Sequence, residues 1–233
     1  MIRRLKIAKI VSSIAIGATL LTICPIVTSA TTNSTFEEKD SKKIDSYGEY
    51  YIIDNKGYVT NSLGVPQKDI VIVNSKLNKS YYVDEYGKLA TGFFYGKTYN
   101  AQSKGQCYAD EDGVIQTMII VKDDYGNSYY FDSEGKMVKS NFIYYGSKKY
   151  YAGKSGLLQT GDIIVDENKY YADENGVIQK EYKRTMPDGK MYYYDFSGQL
   201  VKNDFYIDES GNKYYANEKG EIHETNEDYV LID

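Results

Sequence analysis

The sequence predicts an all-β protein, an elongated solenoid of stacked β-hairpin repeats of about 20–22 residues, on three observations. One phrase recurs eight times between Tyr47 and the C-terminus: two aromatics, a variable residue, usually Asp, two more residues, then Gly. Its glycines are Gly57, Gly87, Gly113, Gly135, Gly156, Gly176, Gly198 and Gly220, spaced 30, 26, 22, 21, 20, 22 and 22 residues apart. Short runs of Tyr, Ile and Val alternate with clusters of Asp, Asn, Ser and Gly, the pattern of strands joined by tight turns. Past residue 30 no segment sustains a 3.6-residue apolar period, which argues against helix.

The N-terminus has a different character. Arg3, Arg4, Lys6 and Lys9 precede an apolar stretch from Ile10 to Val27, which ends at Thr28-Ser29-Ala30. That is the charged, apolar and small-residue order of a secretory signal peptide, with the cut expected after Ala30. The alternative is a retained anchor, since the stretch approaches the roughly 20 residues a span requires. Ser12, Ser13, Thr19 and Thr22 interrupt it, which favours cleavage and leaves no stable membrane span. Residues 31–46 are polar and read as a flexible linker, and 47–233 form the repeat array. The long early spacings and the terminal Tyr229–Asp233 are the expected caps.

Without residues 1–30 the chain carries 24 basic and 33 acidic side chains, a net charge of −9. An acidic chain is poorly suited to phosphate backbones, so nucleic acid is not an expected partner. Cys107 then stands alone, at the first aromatic position of its repeat, and reads as a small buried hydrophobe. A single His223 leaves little room for metal or triad chemistry. The dominant compositional fact is 27 Tyr with no Trp. Tyr pairs a flat apolar face with a polar tip, useful in a thin core and against a polar ligand.

The turn sets the faces. Asp173-Glu-Asn-Gly176 suits a type I turn with Gly in the left-handed position, giving a hairpin with a bulge. If Asp173 opposes Val177, then Ala172 opposes Ile178 and Tyr171 opposes Gln179. One face then carries Tyr170, Ala172 and Ile178. The equivalents of Ile178 are Val59, Leu89, Ile115, Met137, Leu158, Leu200 and Ile222, all apolar, so this face is assigned to the core. The second Tyr of each pair, Tyr82, Tyr108, Tyr130, Tyr151, Tyr171, Tyr193 and Tyr215, projects to the opposite side.

At Gly87 the chain reads Tyr81-Tyr-Val-Asp-Glu-Tyr-Gly-Lys-Leu-Ala-Thr-Gly-Phe93. This resembles the cell-wall-binding repeats of Gram-positive surface proteins, including choline-binding modules and the C-terminal repeats of clostridial large toxins. The resemblance runs over roughly residues 47–225. It implies a β-hairpin solenoid that binds choline or saccharide at junctions between repeats. A choline cage in that family is built largely from Trp. Here the residues before the Tyr pairs are Ser80, Gln106, Ser128, Lys149, Lys169, Met191 and Lys213, with an aromatic only at Tyr50. The three lysines would repel a cationic head group, which makes choline a doubtful ligand. The Trp-less pattern sides with the clostridial group, for which carbohydrate is the implied ligand class.

The candidate saccharide-stacking residues are therefore the seven second tyrosines together with Phe93, Phe142, Tyr182 and Phe205. The expected partner is a cell-wall polysaccharide or teichoic-type polymer, and no cofactor is implied. Asp110-Glu-Asp-Gly and Asp173-Glu-Asn-Gly lack the helices and ligand spacing of a calcium loop, so no metal site is expected. A stack of shallow hairpins offers no cleft in which to set two catalytic carboxylates, so no enzyme is expected either. The function expected is that of a secreted, wall-associated carbohydrate-binding repeat protein of clostridial type. The alternative is an adhesin-like module facing a host or partner protein.

Overall fold

Each repeat is organised by its Asp-x-x-Gly turn. In the computed structural model, which describes residues 41–99, 101–208 and 210–225, Oδ1 of Asp54, Asp84, Asp110, Asp132, Asp173, Asp195 and Asn217 accepts two backbone N–H bonds, from the residues two and four positions on. The side chain thus satisfies turn amides that would otherwise need water. Gly153, which has no side chain, is helped by Ser155, whose Oγ accepts from Leu157 N–H at 3.4 Å. Gly113 shows why the fourth residue is glycine: its φ is +79°, and a Cβ there would lie 2.4 Å from Leu89 of the preceding repeat.

Eighteen strands form eight separate antiparallel sheets among the described residues. A three-stranded sheet, β1 (Lys42–Ser46), β2 (Glu49–Ile53) and β3 (Val59–Asn61), starts the array. Six two-stranded hairpins follow: β4 (Ile70–Asn74) with β5 (Lys79–Val83), β6 (Gly92–Thr98) with β7 (Ala101–Ala109), β8 (Ile119–Lys122) with β9 (Ser128–Phe131), β10 (Asn141–Tyr145) with β11 (Lys148–Ala152), β12 (Gly161–Val165) with β13 (Asn168–Ala172), and β14 (Tyr182–Thr185) with β15 (Met191–Tyr194). The last sheet is again three-stranded, β16 (Asp204–Ile207), β17 (Lys213–Ala216) and β18 (Ile222–Glu224). The all-β stacked-hairpin class is as the sequence predicts. One boundary differs: pairing begins at Lys42, inside the segment read as linker, because Ile44 inserts into the first core cluster at 2 % exposure. Residues 1–30, read as a signal peptide, residues 31–40 and the expected cap Tyr229–Asp233 lie outside the described residues.

The register follows the turn. Asp173 N–H donates to Val177 O, Ala172 bridges Ile178, and Gln179 N–H donates to Tyr171 O. Consecutive repeats are then stitched by one recurring bond. The residue two after the Gly donates its N–H to the carbonyl just before the previous Tyr pair: Ile115 to Ser80, Met137 to Gln106, Leu158 to Ser128, Ile178 to Lys149 and Leu200 to Lys169.

Most of the assigned core face is buried: Tyr81, Cys107, Tyr150, Tyr170 and Tyr214 are 6 % exposed or less, and Val59, Leu158, Ile178 and Ile222 pack with them, while Leu89, Tyr129, Met137 and Tyr192 are half-buried. Deepest in the later repeats is the residue before the turn, Val83, Ala109, Phe131, Ala152, Ala172, Tyr194 or Ala216, none above 1 %, while Ile53 in the first is 5 % exposed. Burial pushes the Cys107 thiol up to about 11, which keeps it protonated and unreactive at neutral pH.

Candidate ligand-binding junctions

The opposite face is not free. The second tyrosines are expected to project away from the core, yet none of the seven is exposed, and Tyr82 and Tyr130 are buried. The physical reason is the stacking advance, which lays the second face of one hairpin against the core face of the next. Tyr82 is held there by Asp69, which accepts from its hydroxyl at 2.6 Å and pairs with Lys97 at 3.1 Å and Lys104 at 2.9 Å. The bond from Tyr82, followed by those from the two lysines, holds the Asp69 carboxyl far below the usual carboxylate range.

Within these junctions several of the candidate rings meet one another. Phe93 opposes Tyr108 with ring centroids 5.1 Å apart, Phe142 opposes Tyr151 at 5.0 Å, and Phe205 opposes Tyr215 at 5.0 Å. Tyr182 stacks on Tyr171 of the preceding hairpin at 6.0 Å. Tyr193 stacks instead on Tyr206 at 3.8 Å, and Tyr130 meets Tyr145 at 5.7 Å. Phe94, against which Tyr82 stacks, and Tyr206 are junction rings that sequence reasoning did not single out.

The junctions divide by what occupies them. Phe93, 39 % exposed, meets Tyr108, Tyr129 and Phe131 within 6 Å and opens into a pocket of about 260 Å³. Polar groups rim it: Gln106, Lys139, Ser155 and Asp123, whose Oδ2 accepts from Tyr129 Oη at 3.3 Å. Burial alone would raise the Asp123 pKa, but bonds from Asn127 pull it below the usual value. Among the described residues no cation stands over Phe93, Tyr108 or Tyr129.

From Phe142 onward, ring clusters hold cations of the chain itself. Lys149 Nζ lies 4.2 Å from the Phe142 centroid and 4.8 Å from that of Tyr170. Arg184 covers Tyr171 at 3.8 Å while pairing with Asp162 at 2.6 Å. Burial alone would raise the Asp162 pKa, but the bonds from Arg184 and Lys169 bring it below the ordinary carboxylate value. Lys183 sits over Tyr214 at 4.3 Å, and Lys213 over Phe205 at 4.6 Å. The sequence flags Lys149, Lys169 and Lys213; Arg184 and Lys183 lie on the other strand and carry no repeat signature. No group of three His, Cys, Asp or Glu side chains among the described residues is placed to hold a metal ion.

Comparison with known proteins places this geometry. No family model matches the chain, and no curated protein matches it. Among solved structures, choline-binding protein F from Streptococcus pneumoniae aligns at 26 % identity with a TM-score of 0.52, over 78 % of this chain and 56 % of that one. The chain is similar to choline-binding proteins of S. pneumoniae. The choline-binding domain of CbpL from S. pneumoniae aligns at 20 % identity and a TM-score of 0.53, over 79 % of this chain and 98 % of that domain. The modular autolysin LytC from S. pneumoniae aligns at 15 % identity and a TM-score of 0.58, over 79 % of this chain and 38 % of that one. The chain thus spans about two fifths of LytC and just over half of choline-binding protein F. The likeness lies with the choline-binding modules, not specifically with the clostridial toxins.

Proposed function

We propose that this chain is a non-catalytic, extracellular wall-associated module that binds a saccharide or teichoic-type polymer of the cell wall. The observation that carries the reading is the Phe93 junction. Its aromatic floor can take a sugar face, and the Gln106 amide, Ser155 hydroxyl and Asp123 carboxylate can meet sugar hydroxyls. The likeness to choline-binding proteins adds weight to wall binding, and the co-crystallised ligand of LytC is a synthetic peptidoglycan. Choline fits the array poorly where lysine or arginine already stands over the rings. The adhesin-like alternative draws on a separate observation, the exposed Tyr86, Tyr95, Tyr125 and Tyr144 along the stack.

Sedimentation of the full-length chain with isolated Gram-positive walls tests the reading, before and after removal of teichoic-type polymers and with free choline as competitor. Binding that is lost on polymer removal and insensitive to choline is the expected result. Retention by wall-free protein targets alone would shift the assignment to the adhesin-like alternative. The Phe93→Ala chain should lose most wall retention while keeping its fold.

A further inference from the structure

Lys149 is a lysine in an unusual place. It is 6 % exposed, while its neighbour Lys148 is exposed. It lies on the same face of β11 as Tyr151, diagonal to Phe142 on β10, so its aliphatic stem runs beneath the junction rather than out to water. Its ammonium meets the ring of Phe142 from its own hairpin and the ring of Tyr170 from the next. It donates one hydrogen bond, 2.8 Å to the carbonyl of Ser197 in the turn of the repeat beyond. Among the described residues no carboxylate forms an ion pair with it. Its backbone carbonyl takes the stitching bond from Ile178, so one residue ties three successive repeats.

An unpaired cation is costly to bury unless something replaces its hydration. Here two ring faces and one carbonyl do so, which is the arrangement by which aromatic sites hold ligand cations. We propose that the junction between β10–β11 and β12–β13 is an ammonium-binding site whose occupant is the chain's own Lys149. The side chain closes this junction to external ammonium ligands and makes it a fixed joint of the stack. Lys149 is in that sense a specificity residue, and the ligand class it excludes is a small organic cation. The inference does not depend on wall binding.

The test titrates the full-length chain with tetramethylammonium chloride by calorimetry and follows thermal unfolding against matched sodium chloride. Lys149→Met keeps the unbranched stem and removes the charge. That chain should bind one more tetramethylammonium than the wild type, and its midpoint should rise more with the salt. Adding Phe142→Ala should cancel the gain. Equal stoichiometry and equal midpoint response in the wild type and Lys149→Met would overturn the proposal. A second measurement needs no variant: under limited acetylation of the folded wild type, Lys149 should react at least tenfold more slowly than Lys148, read by peptide mass spectrometry. Equal rates at the two lysines would overturn it as well.

Discussion

Two junctions built from the same repeat phrase have opposite fates. At Phe93 the rings form an open pocket with an acid and an amide on its rim; at Phe142 the equivalent space is filled by Lys149. In both, the phenylalanine stands opposite the second tyrosine of its hairpin. The decisive change is one side chain before the Tyr pair, Gln106 in one unit and Lys149 in the other. Gln106 is exposed and lines the pocket, whereas Lys149 is drawn in over the rings. At these two junctions that position separates a presented surface from a consumed one, whereas Arg184 and Lys183 fill others from the opposite strand. The array reads as a shared frame in which side chains from either strand of a hairpin can fill a junction.

The largest expected effect comes from breaking the filled junction. Tyr170 packs with Ile163, Ala172 and Ile178, supports Lys149 from below and accepts a hydrogen bond from Gln199 at 3.0 Å. Tyr170→Ala should cost about 3–5 kcal/mol in denaturant unfolding, the range for emptying a buried aromatic site. Phe93→Ala should cost only about 1–2 kcal/mol, because that ring is already partly solvated. Equal costs would mean that both junctions are structural, and the contrast between them would fall.

A second difference is one of pH. Burial, followed by the nearby Lys180 charge, lowers the Lys149 pKa from its ordinary 10.5, with Asp195 opposing. A lysine whose folded pKa is lowered holds its proton less tightly in the fold than in the unfolded chain. The penalty on the charged form is therefore present at neutral pH and is relieved as pH rises from the lowered value toward 10.5. Tyrosines titrate in the same alkaline range, so the comparison must be with Lys149→Met, in which only this contribution is missing. The wild type should gain stability relative to that variant across the window, measured as the difference in unfolding free energy against pH. A flat difference would show that the ammonium is as well solvated in the junction as in water.

Much of this was legible in the sequence, and the part that was not has two causes. Turn chemistry fixed the register around Gly176, and register fixed which residues share a face, so most of the buried set from Tyr81 to Ile222 could be read from spacing, with Leu89, Tyr129, Met137 and Tyr192 left half-buried. The aromatic pairs Phe93–Tyr108, Phe142–Tyr151 and Phe205–Tyr215 were also within reach, although Phe142 and Phe205 sit one residue later after their Gly than Phe93 does. Periodicity within a hairpin carries no information on how the next hairpin is laid across it. That advance buries Tyr82 and Tyr130, which a two-face reading places in solvent, and carries Arg184 onto Tyr171 and Asp162. Lys42–Ser46 escaped notice because one apolar residue, Ile44, is too little to mark a strand by alternation.

The smallest expected effect lies in how the chain enters each hairpin. The Phe93 hairpin is entered through Gly92 at φ +66°, a conformation that glycine adopts without cost. The Phe142 hairpin is entered through Ser140 at φ +49°, where a side chain crowds the following carbonyl. Ser140 is exposed, and its N–H donates to Gly153 O at 3.1 Å, so the strained backbone is held in place by the turn it faces rather than by its own side chain. Glycine costs entropy in the unfolded chain, and relief of the left-handed strain must exceed that cost for a gain to appear. Ser140→Gly should therefore stabilise the array by about 0.5–1 kcal/mol, while Gly92→Ala should destabilise it by at least about 1 kcal/mol. Both are read from denaturant midpoints at constant slope. Opposite signs would show that the filled junction tolerates a strained entry that the open one avoids; equal signs would place the difference between them in the side chains alone.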